Sequence, residues 1–247
     1  MATIKELNAC ADELEKKFLL RTSLVAVKML EKESDIPKDA LRPKKDRNTH
    51  YAQCQAFSLS RRDGLTVAML KEDHWCPAAL LAYGMVPAPE TQDITKMHPY
   101  ETFETGKYIG VLTAPLKTAS FMPDVAIIYA NTAQLRNLLF LTGPEGPSQV
   151  NGRFFPPSCA HVVVTPMQKG GYWVVVPDPG EFQRALGDES EMMLAMPAEK
   201  ITVLCENMKK NQGMAWSYRD HNYFMQGDFP RPDFYKAMFK GWGLEDY

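Results

Sequence analysis

The chain has 247 residues, a formal net charge of -2 and a pI near 6.2, so it can bury a full core and has no excess charge to attract nucleic acid or an anionic membrane. Its first residues lack the apolar run of a signal sequence, and no stretch approaches the roughly 18 apolar residues of a membrane span. Five cysteines without a closely spaced pair argue against a secreted disulfide framework and predict a cytoplasmic protein with reduced thiols.

The first predicted elements are a helix, a strand and a hairpin. Apolar residues at helical spacing over residues 4–18 indicate an amphipathic helix. The apolar run at residues 23–28 predicts a strand. Residues 51–59 and 65–70 then predict a β-hairpin, because Asp63-Gly64 between them supplies the positive φ of a tight turn.

The next segment predicts a short helix and a linker. Pro77 suits the first position of a helix and Gly84 the position beyond its end, so the pattern places Cys76 at a helix N-terminus. Residues 87–105 are rich in Pro, Thr and Glu, and they are typical of a linker into a second half.

The second half predicts a similar series of elements. A strand over residues 124–130 is followed by a helix that Asn131 caps, and a hairpin is predicted between residues 159–165 and 172–176. A further helix begins after Pro197. The aromatic tail, residues 214–247, is predicted to cover a core or a subunit surface, which favours a homodimer.

Residues 22–84 and 122–196 have the pattern of one segment written twice. Each contains an apolar strand, a cysteine about 30 residues later, a charged glycine turn and a second apolar strand. We therefore predict an α+β fold of two pseudo-symmetric halves, each with a mixed or antiparallel sheet and flanking helices. The halves are expected to pack as a single globular unit over residues 1–247.

Three of the cysteines are candidate metal ligands. Cys54 and Cys159 occupy matching positions of the repeat, and a pseudo-twofold axis would bring them together with Cys76. Three converging thiolates are typical of a soft-metal or iron–sulfur site. Cys76 is the strongest candidate, because a helix start stabilises a thiolate. Cys10 and Cys205 lie on or beside apolar helix stripes and are predicted to be packing residues.

Two histidines are weaker candidates. His74 and His161 each lie two residues from a candidate cysteine, where a strand would point both side chains to one face. An imidazole there could supply a nitrogen ligand or donate a hydrogen bond to a cluster sulfur. The alternative is that both are ordinary polar residues, which is the more frequent role of a lone histidine.

Five short motifs, taken together, carry a resemblance to a known family. They are Cys54 with Arg62 and Gly64; Cys76-Pro77 with Gly84; Pro123-Asp124-Val125 with Gln134; Cys159-Ala160 with Thr165-Pro166; and Pro179-Gly180 with Arg184. With these motifs the chain resembles the prokaryotic, mostly anaerobe-associated family called domain of unknown function 169, over about residues 6–210. That family has no established activity, so the resemblance implies the fold and the cysteines and not a reaction.

The chain departs from the family pattern at two places. Family members often carry glycines where this chain has Ala78-Ala79, and many carry a further cysteine where it has Pro177-Asp178-Pro179-Gly180. The resemblance therefore implies three matching cysteines and one position that is open or held by another ligand.

Three hypotheses follow. In the first, Cys54, Cys76 and Cys159 hold an iron–sulfur cluster, most plausibly 4Fe-4S, for redox or lyase-type chemistry on a small molecule, with an electron-transfer partner. In the second, the chain is a non-catalytic binding protein for a small anionic or thiol-bearing ligand, or for a metallocofactor such as haem or a corrinoid. Its counter-charges would be Lys28, Arg62 and Arg184. In the third, Cys54 and Cys159 perform thiol–disulfide chemistry.

Overall fold

The computed structural model describes residues 2–88, 100–143, 149–210, 231 and 233–244. The chain divides into two compact units, residues 1–212 and residues 213–247. The single unit over residues 1–247 stays a prediction. None of the helices described is long and apolar enough to cross a membrane.

The first unit is a sheet with helices on both faces. Its strands are β1 (Val25–Leu30), β2 (Val67–Leu70), β3 (Gly110–Pro115), β4 (Val125–Asn131), β5 (Val150–Arg153), β6 (Tyr172–Val175) and β7 (Glu191–Pro197). Its helices are α1 (Ile4–Phe18), α2 (Pro43–Arg47), α3 (Gln53–Asp63), α4 (Pro77–Ala82), α5 (Thr132–Phe140), α6 (Ser158–His161), α7 (Val164–Lys169), α8 (Pro179–Arg184) and α9 (Lys200–Lys210). Short 3-10 helices cover Glu33–Asp35, Lys71–Asp73 and Leu116–Thr118.

The strands form one sheet in the order β2-β3-β1-β4-β7-β6-β5. The central strands β1 and β4 are antiparallel, with Ala26 opposite Ala126. Outwards from this pair the order is β1, β3, β2 on one side and β4, β7, β6 on the other, all antiparallel, and β5 adds a parallel edge strand. The predicted α+β class is confirmed, and the strands of the two predicted halves lie in one continuous sheet. The pseudo-symmetry of the halves stays a prediction. The internal repeat itself stays a prediction.

The sheet separates two hydrophobic cores. Alternate residues of the central strands, among them Val27 and Ile127, pack with α3, α4, α6 and α7 in the first core. Their neighbours Ala26 and Ala126 pack with α1, α5 and α9 in the second core. Successive side chains of a strand point to opposite faces, which produces this alternation. The helices that contain or follow the three candidate cysteines all lie on the first face.

The predicted hairpin over residues 51–70 is wrong in its first arm. Residues 53–63 form helix α3, and the buried side chains of Gln53, Phe57 and Ser60 recur at helical and not at strand spacing. Gly64, with φ of 74°, ends this helix in the left-handed conformation. A glycine with positive φ occurs both at helix ends and in tight turns, so Asp63-Gly64 is compatible with a helix end or with a hairpin.

The predicted hairpin in the second half is wrong for the same reason. Residues 158–161 and 164–169 form helices α6 and α7, and Gly170, with φ of 64°, follows the end of α7. Only the second arm is a strand, β6, and its sheet partners are β5 and β7.

Other predicted elements are confirmed. The N-terminal helix is α1, and Cys76 precedes Pro77 at the start of α4. The Asn131 side chain caps α5 by accepting a hydrogen bond from the backbone of Gln134. Helix α9 follows Pro197 as expected.

Two predicted segments fall largely outside the described residues. These are residues 89–99 of the linker and residues 214–230, 232 and 245–247 of the aromatic tail. In the second unit, helix α10 (Asp233–Gly241) brings the rings of Phe239 and Trp242 to a centroid distance of 5.8 Å. The homodimer stays a prediction.

Candidate functional site

One cavity on the first face of the sheet brings the three candidate cysteines together. It has a volume of about 40 Å³ and is partly open to solvent. Residues from both predicted halves of the chain line it. A volume of this size has room for about one to three water-sized groups. Its lining residues are Ala52, Gln53, Cys54, Cys76, Ala78, Ala79, Pro157, Cys159, Asp178 and Arg184.

Each cysteine lies at the beginning of a helix. Cys54 is the second residue of α3, Cys76 is the residue before α4, and Cys159 is the second residue of α6. Proline supports two of these starts, because Pro77 and Pro157 have the fixed φ that a helix entry tolerates.

The start of a fourth helix, α8, also lines the cavity, through its N-cap residue Asp178. Asp178 caps α8, since its Oδ1 accepts a hydrogen bond from the Gly180 amide at 2.8 Å. Its Oδ2 accepts from the amide and the hydroxyl of Ser158 at 2.9 and 3.0 Å. One carboxylate therefore ties α8 to α6, the helix that carries Cys159.

Two hydrogen bonds join the halves of the chain at the cavity. The Cys54 thiol donates to the carbonyl oxygen of Gly180 at 3.7 Å, and the Tyr83 hydroxyl donates to the carbonyl oxygen of Cys159 at 2.9 Å. Cys54 and Cys159 are buried, whereas Cys76 is half-buried. Access to the thiols is therefore greatest at Cys76.

The two buried thiols are neutral at physiological pH. Burial raises the pKa of Cys54 to about 12, and the negative charges of Glu181 and Asp178 add to this effect. Burial also raises the pKa of Cys159 well above its ordinary value. Converting these thiols to thiolates requires a compensating positive charge, which a bound metal supplies.

Two polar side chains of the cavity wall have unused hydrogen-bonding groups. Gln53 is 1% exposed, and both its amide oxygen and its amide nitrogen lack a partner among the described residues. The Nε atom of Arg184 is likewise buried and unpartnered. The Arg184 guanidinium lies 5.0 Å from the ring centroid of Trp75, which is 59% exposed. Sequence reasoning missed Gln53, because a glutamine beside a cysteine has no signal of its own.

A buried acid network lies next to the cavity on α8. Glu181 is fully buried, and burial raises its pKa to about 8. Tyr129 donates its hydroxyl to Glu181 Oε1 at 3.2 Å, while Oε2 has no partner among the described residues. Arg61 and Glu191 form a buried bidentate ion pair, with both hydrogen bonds at 3.0 Å. The Arg61 guanidinium also lies 3.8 Å from the centroid of the Tyr129 ring.

Neither candidate histidine is in the described wall of the cavity. His74 has extended backbone after a 3-10 helix and forms an isolated β-bridge with Tyr51, whereas the strand predicted at His161 is wrong, because His161 ends α6. The role of either histidine as a ligand stays a prediction. His74 is buried with both ring nitrogens unpartnered among the described residues, and burial lowers its pKa to about 4. His161 Nδ1 lies 3.7 Å from a carboxylate oxygen of Glu101.

The three predicted counter-charges are Lys28, Arg62 and Arg184. Among the lining residues described for the cavity, only Arg184 is present. Arg62 lies in the exposed last turn of α3 and donates to the carbonyl oxygen of Leu186 at 2.5 Å. Lys28 lies in the central strand β1, where its charge lowers the pKa of Asp124 against the larger raising effect of burial. The structure therefore brings Cys54, Cys76, Cys159 and Arg184 together and places Lys28 and Arg62 elsewhere.

No set of three His, Cys, Asp or Glu side chains is grouped to hold a metal ion within the part of the chain that the structure describes. A single ion draws its ligands to about 2.0–2.3 Å, which requires close grouping of the donors. The three thiols are thus wall groups of one cavity and not a preformed single-ion site.

Comparison with known proteins identifies a family and no individual relative. No curated protein and no solved structure matches the chain. Residues 13–207 match the family model DUF169, described as "Uncharacterised ArCR". This span is most of the chain and contains all three cysteines of the cavity. The chain therefore belongs to the domain of unknown function 169 family.

Proposed function

We propose that Cys54, Cys76 and Cys159 hold an iron–sulfur cluster, of the 4Fe-4S type, with one position not held by cysteine. The protein would then act in redox or lyase-type chemistry on a small molecule. One observation supports this proposal above the others: three cysteines from separate helix starts, the outer two 105 positions apart, line the same small cavity.

The donor set fits such a cofactor. Cysteine thiolates are the usual ligands of iron–sulfur clusters. A cluster holds its thiolates further apart than a single ion does, because several metal atoms lie between them. The cavity of about 40 Å³ is smaller than a cluster of eight atoms, so loading requires the wall to open. Its partial opening and the half-burial of Cys76 provide the place for this.

The residues of the chain would perform distinct tasks around the cofactor. When bound, a cluster supplies a redox couple and, at an iron not held by cysteine, a Lewis acid. Cys54 and Cys159 would be shielded from bulk water by their burial. Because both thiols are protonated in the free protein, loading must release their protons and is favoured at higher pH.

The test is elemental analysis of protein isolated or reconstituted without oxygen. We expect about four iron and four sulfide per chain, with broad visible absorption that dithionite bleaches. Colourless protein with less than one iron per chain contradicts the proposal. Sharp absorption bands would instead identify haem or a corrinoid.

A second candidate function is a non-catalytic binding protein for a small ligand. The unpartnered groups of Gln53 and Arg184 in the cavity favour it. Metal-free protein that binds a small anion and shows no visible absorption would support this function. A shift in electrophoretic mobility with reductant, without metal, would instead support thiol–disulfide chemistry at Cys54 and Cys159.

A further inference from the structure

Two side chains of the cavity wall, Gln53 and Arg184, have buried polar atoms without a hydrogen-bond partner among the described residues. The Gln53 amide is 1% exposed, and neither its oxygen nor its nitrogen has a partner among the described residues, which costs free energy because burial removes water from the amide without a replacement bond. The amide of Gln53 offers one acceptor, Oε1, and two N–H donors on Nε2. The neighbouring Gln55 differs, because its Oε1 accepts the backbone N–H of Ala52 at 2.8 Å. The unused amide is therefore specific to the residue that lines the cavity.

Arg184 supplies a positive charge and a further donor to the same space. Its Nε–H is buried without a partner, and its guanidinium lies along the ring of Trp75 at the exposed side. Gly180 leaves room for this placement, because a Cβ atom there would lie 2.5 Å from Arg184 Nη2. The nearest carboxylate in the wall, Asp178, already accepts bonds from Gly180 and Ser158 with its two oxygens.

We infer that this cavity binds a small hydroxycarboxylate. The carboxylate accepts hydrogen bonds from Arg184 Nε and Gln53 Nε2, and the hydroxyl donates to Gln53 Oε1, so each unused group obtains a partner of the right kind. The inference rests on the proposed function, since it names the class of small molecule that meets the cofactor there. The limited volume, about 40 Å³, restricts the ligand to a short chain, and the partial opening of the cavity leaves room for its remainder.

The test is calorimetric titration with glycolate, with acetate and neutral glycolamide for comparison. Both the reconstituted and the metal-free protein are titrated, and iron is measured in each sample. We expect glycolate to bind at least about tenfold more tightly than glycolamide, because a charge-assisted bond to arginine is lost with the neutral amide. Acetate is expected to bind more weakly than glycolate, because it lacks the hydroxyl.

Two variants and one control locate the binding site. Arg184→Gln and Gln53→Leu are each expected to weaken glycolate binding about tenfold or more while leaving the iron content unchanged. In Gln53→Leu the preference for glycolate over acetate should disappear. Arg62→Gln removes an arginine of α3 that does not line the described cavity, and it should bind glycolate like the wild type.

The outcomes separate this inference from the proposed function. Absence of glycolate binding, or equal affinity in the wild type, Arg184→Gln and Gln53→Leu, overturns the inference whatever the iron content. Iron-free protein that binds glycolate through Arg184 and Gln53 retains the inference and overturns the cluster. Iron-loaded protein that loses glycolate binding only in these two variants supports both.

Discussion

The thiol of Cys54 donates a hydrogen bond to the carbonyl oxygen of Gly180 across 126 positions of the chain, at 3.7 Å. Cys54 begins a helix of the first half, and Gly180 lies at the start of α8 in the second. The contact therefore places a candidate metal ligand directly against the helix that carries Arg184. The cavity wall is therefore built from both halves of the chain.

The first prediction concerns the cysteines. Cys76→Ala should abolish the metal content, because two remaining thiolates leave the cofactor too few protein ligands. Cys205→Ala is the matched control, since this buried thiol lies in α9 and donates to Glu13 Oε2 at 3.1 Å, away from the cavity wall as described. The measurement is iron and sulfide per chain, with thermal unfolding of the loaded protein. Loss of the cofactor should also lower the stability, because binding free energy adds to folding free energy.

Similar behaviour of Cys76→Ala and Cys205→Ala would contradict this prediction. If Cys76 is only a packing residue, both variants should cost a similar amount, about 1 kcal/mol, and leave the absorption spectrum unchanged. Equal metal content in the two variants would remove Cys76 from the site.

The second prediction separates ligand binding from stability at Gln53. Gln53→Leu should raise the free energy of unfolding of the metal-free protein by about 1 kcal/mol, because it removes a buried amide without partners. Gln55→Leu should lower it by about 0.5–1.5 kcal/mol, because it removes the acceptor of the Ala52 amide. Urea denaturation measures both. A lower stability in Gln53→Leu would show that the amide has a structural partner.

The third prediction concerns pH and Glu181. The pKa of this buried carboxyl is about 8 in the folded state against an ordinary value of 4.5, so between these values the folded state binds more protons than the unfolded state. The free energy of unfolding must therefore fall as the pH rises through this window, by at most about 1.4 kcal/mol per pH unit from this group.

The variant Glu181→Gln tests this dependence. Glutamine cannot ionise and can still accept the hydroxyl of Tyr129, so the variant should gain stability relative to the wild type between pH 6 and pH 8. Urea denaturation of metal-free protein at the two pH values is the measurement. Parallel pH profiles for the two proteins would show that Glu181 is ionised in the fold.

The fourth prediction concerns the buried ion pair. Glu191→Gln should lower the free energy of unfolding by about 3–5 kcal/mol, because Arg61 is fully buried and would keep an uncompensated charge. Glu206→Gln, which removes an exposed partner of Lys210 at 3.8 Å, should change it by less than about 1 kcal/mol. Chemical denaturation of both variants gives the comparison. Equal losses would mean that burial does not determine the strength of the Arg61–Glu191 pair.

Local chemistry in the sequence was sufficient to locate several helix ends. Proline at residue 77, glycine at residue 84 and asparagine at residue 131 act through their own backbone or side-chain preferences, so their roles are readable without the rest of the fold. The five short motifs, taken together, also sufficed to identify the family. These signals operate within a few residues of the chain.

Other features depend on contacts between distant residues. The pattern predicts a strand over residues 51–59, but residues 53–63 form helix α3. Gly64 fits either a hairpin turn or a helix end, and the packing of Phe57 in the core decides between them. The strand predicted at His161 is wrong for a similar reason, since His161 ends helix α6, and the two histidines as ligands stay a prediction. The function of Gln53 was not readable, because an unpartnered amide is a property of the surrounding wall and not of the residue.

The sequence by itself determined the family and the helix start at Cys76-Pro77, since composition and short spacings are written in the chain, whereas the internal repeat stays a prediction. Only the tertiary structure decided that Cys54, Cys76 and Cys159 line one cavity with Gln53 and Arg184, and that His74, His161, Lys28 and Arg62 do not line it as described. The reason is physical: the antiparallel pairing of β1 with β4 fixes how the helices of the two halves meet. That pairing depends on the packing of both faces of the sheet at once, which no local pattern specifies.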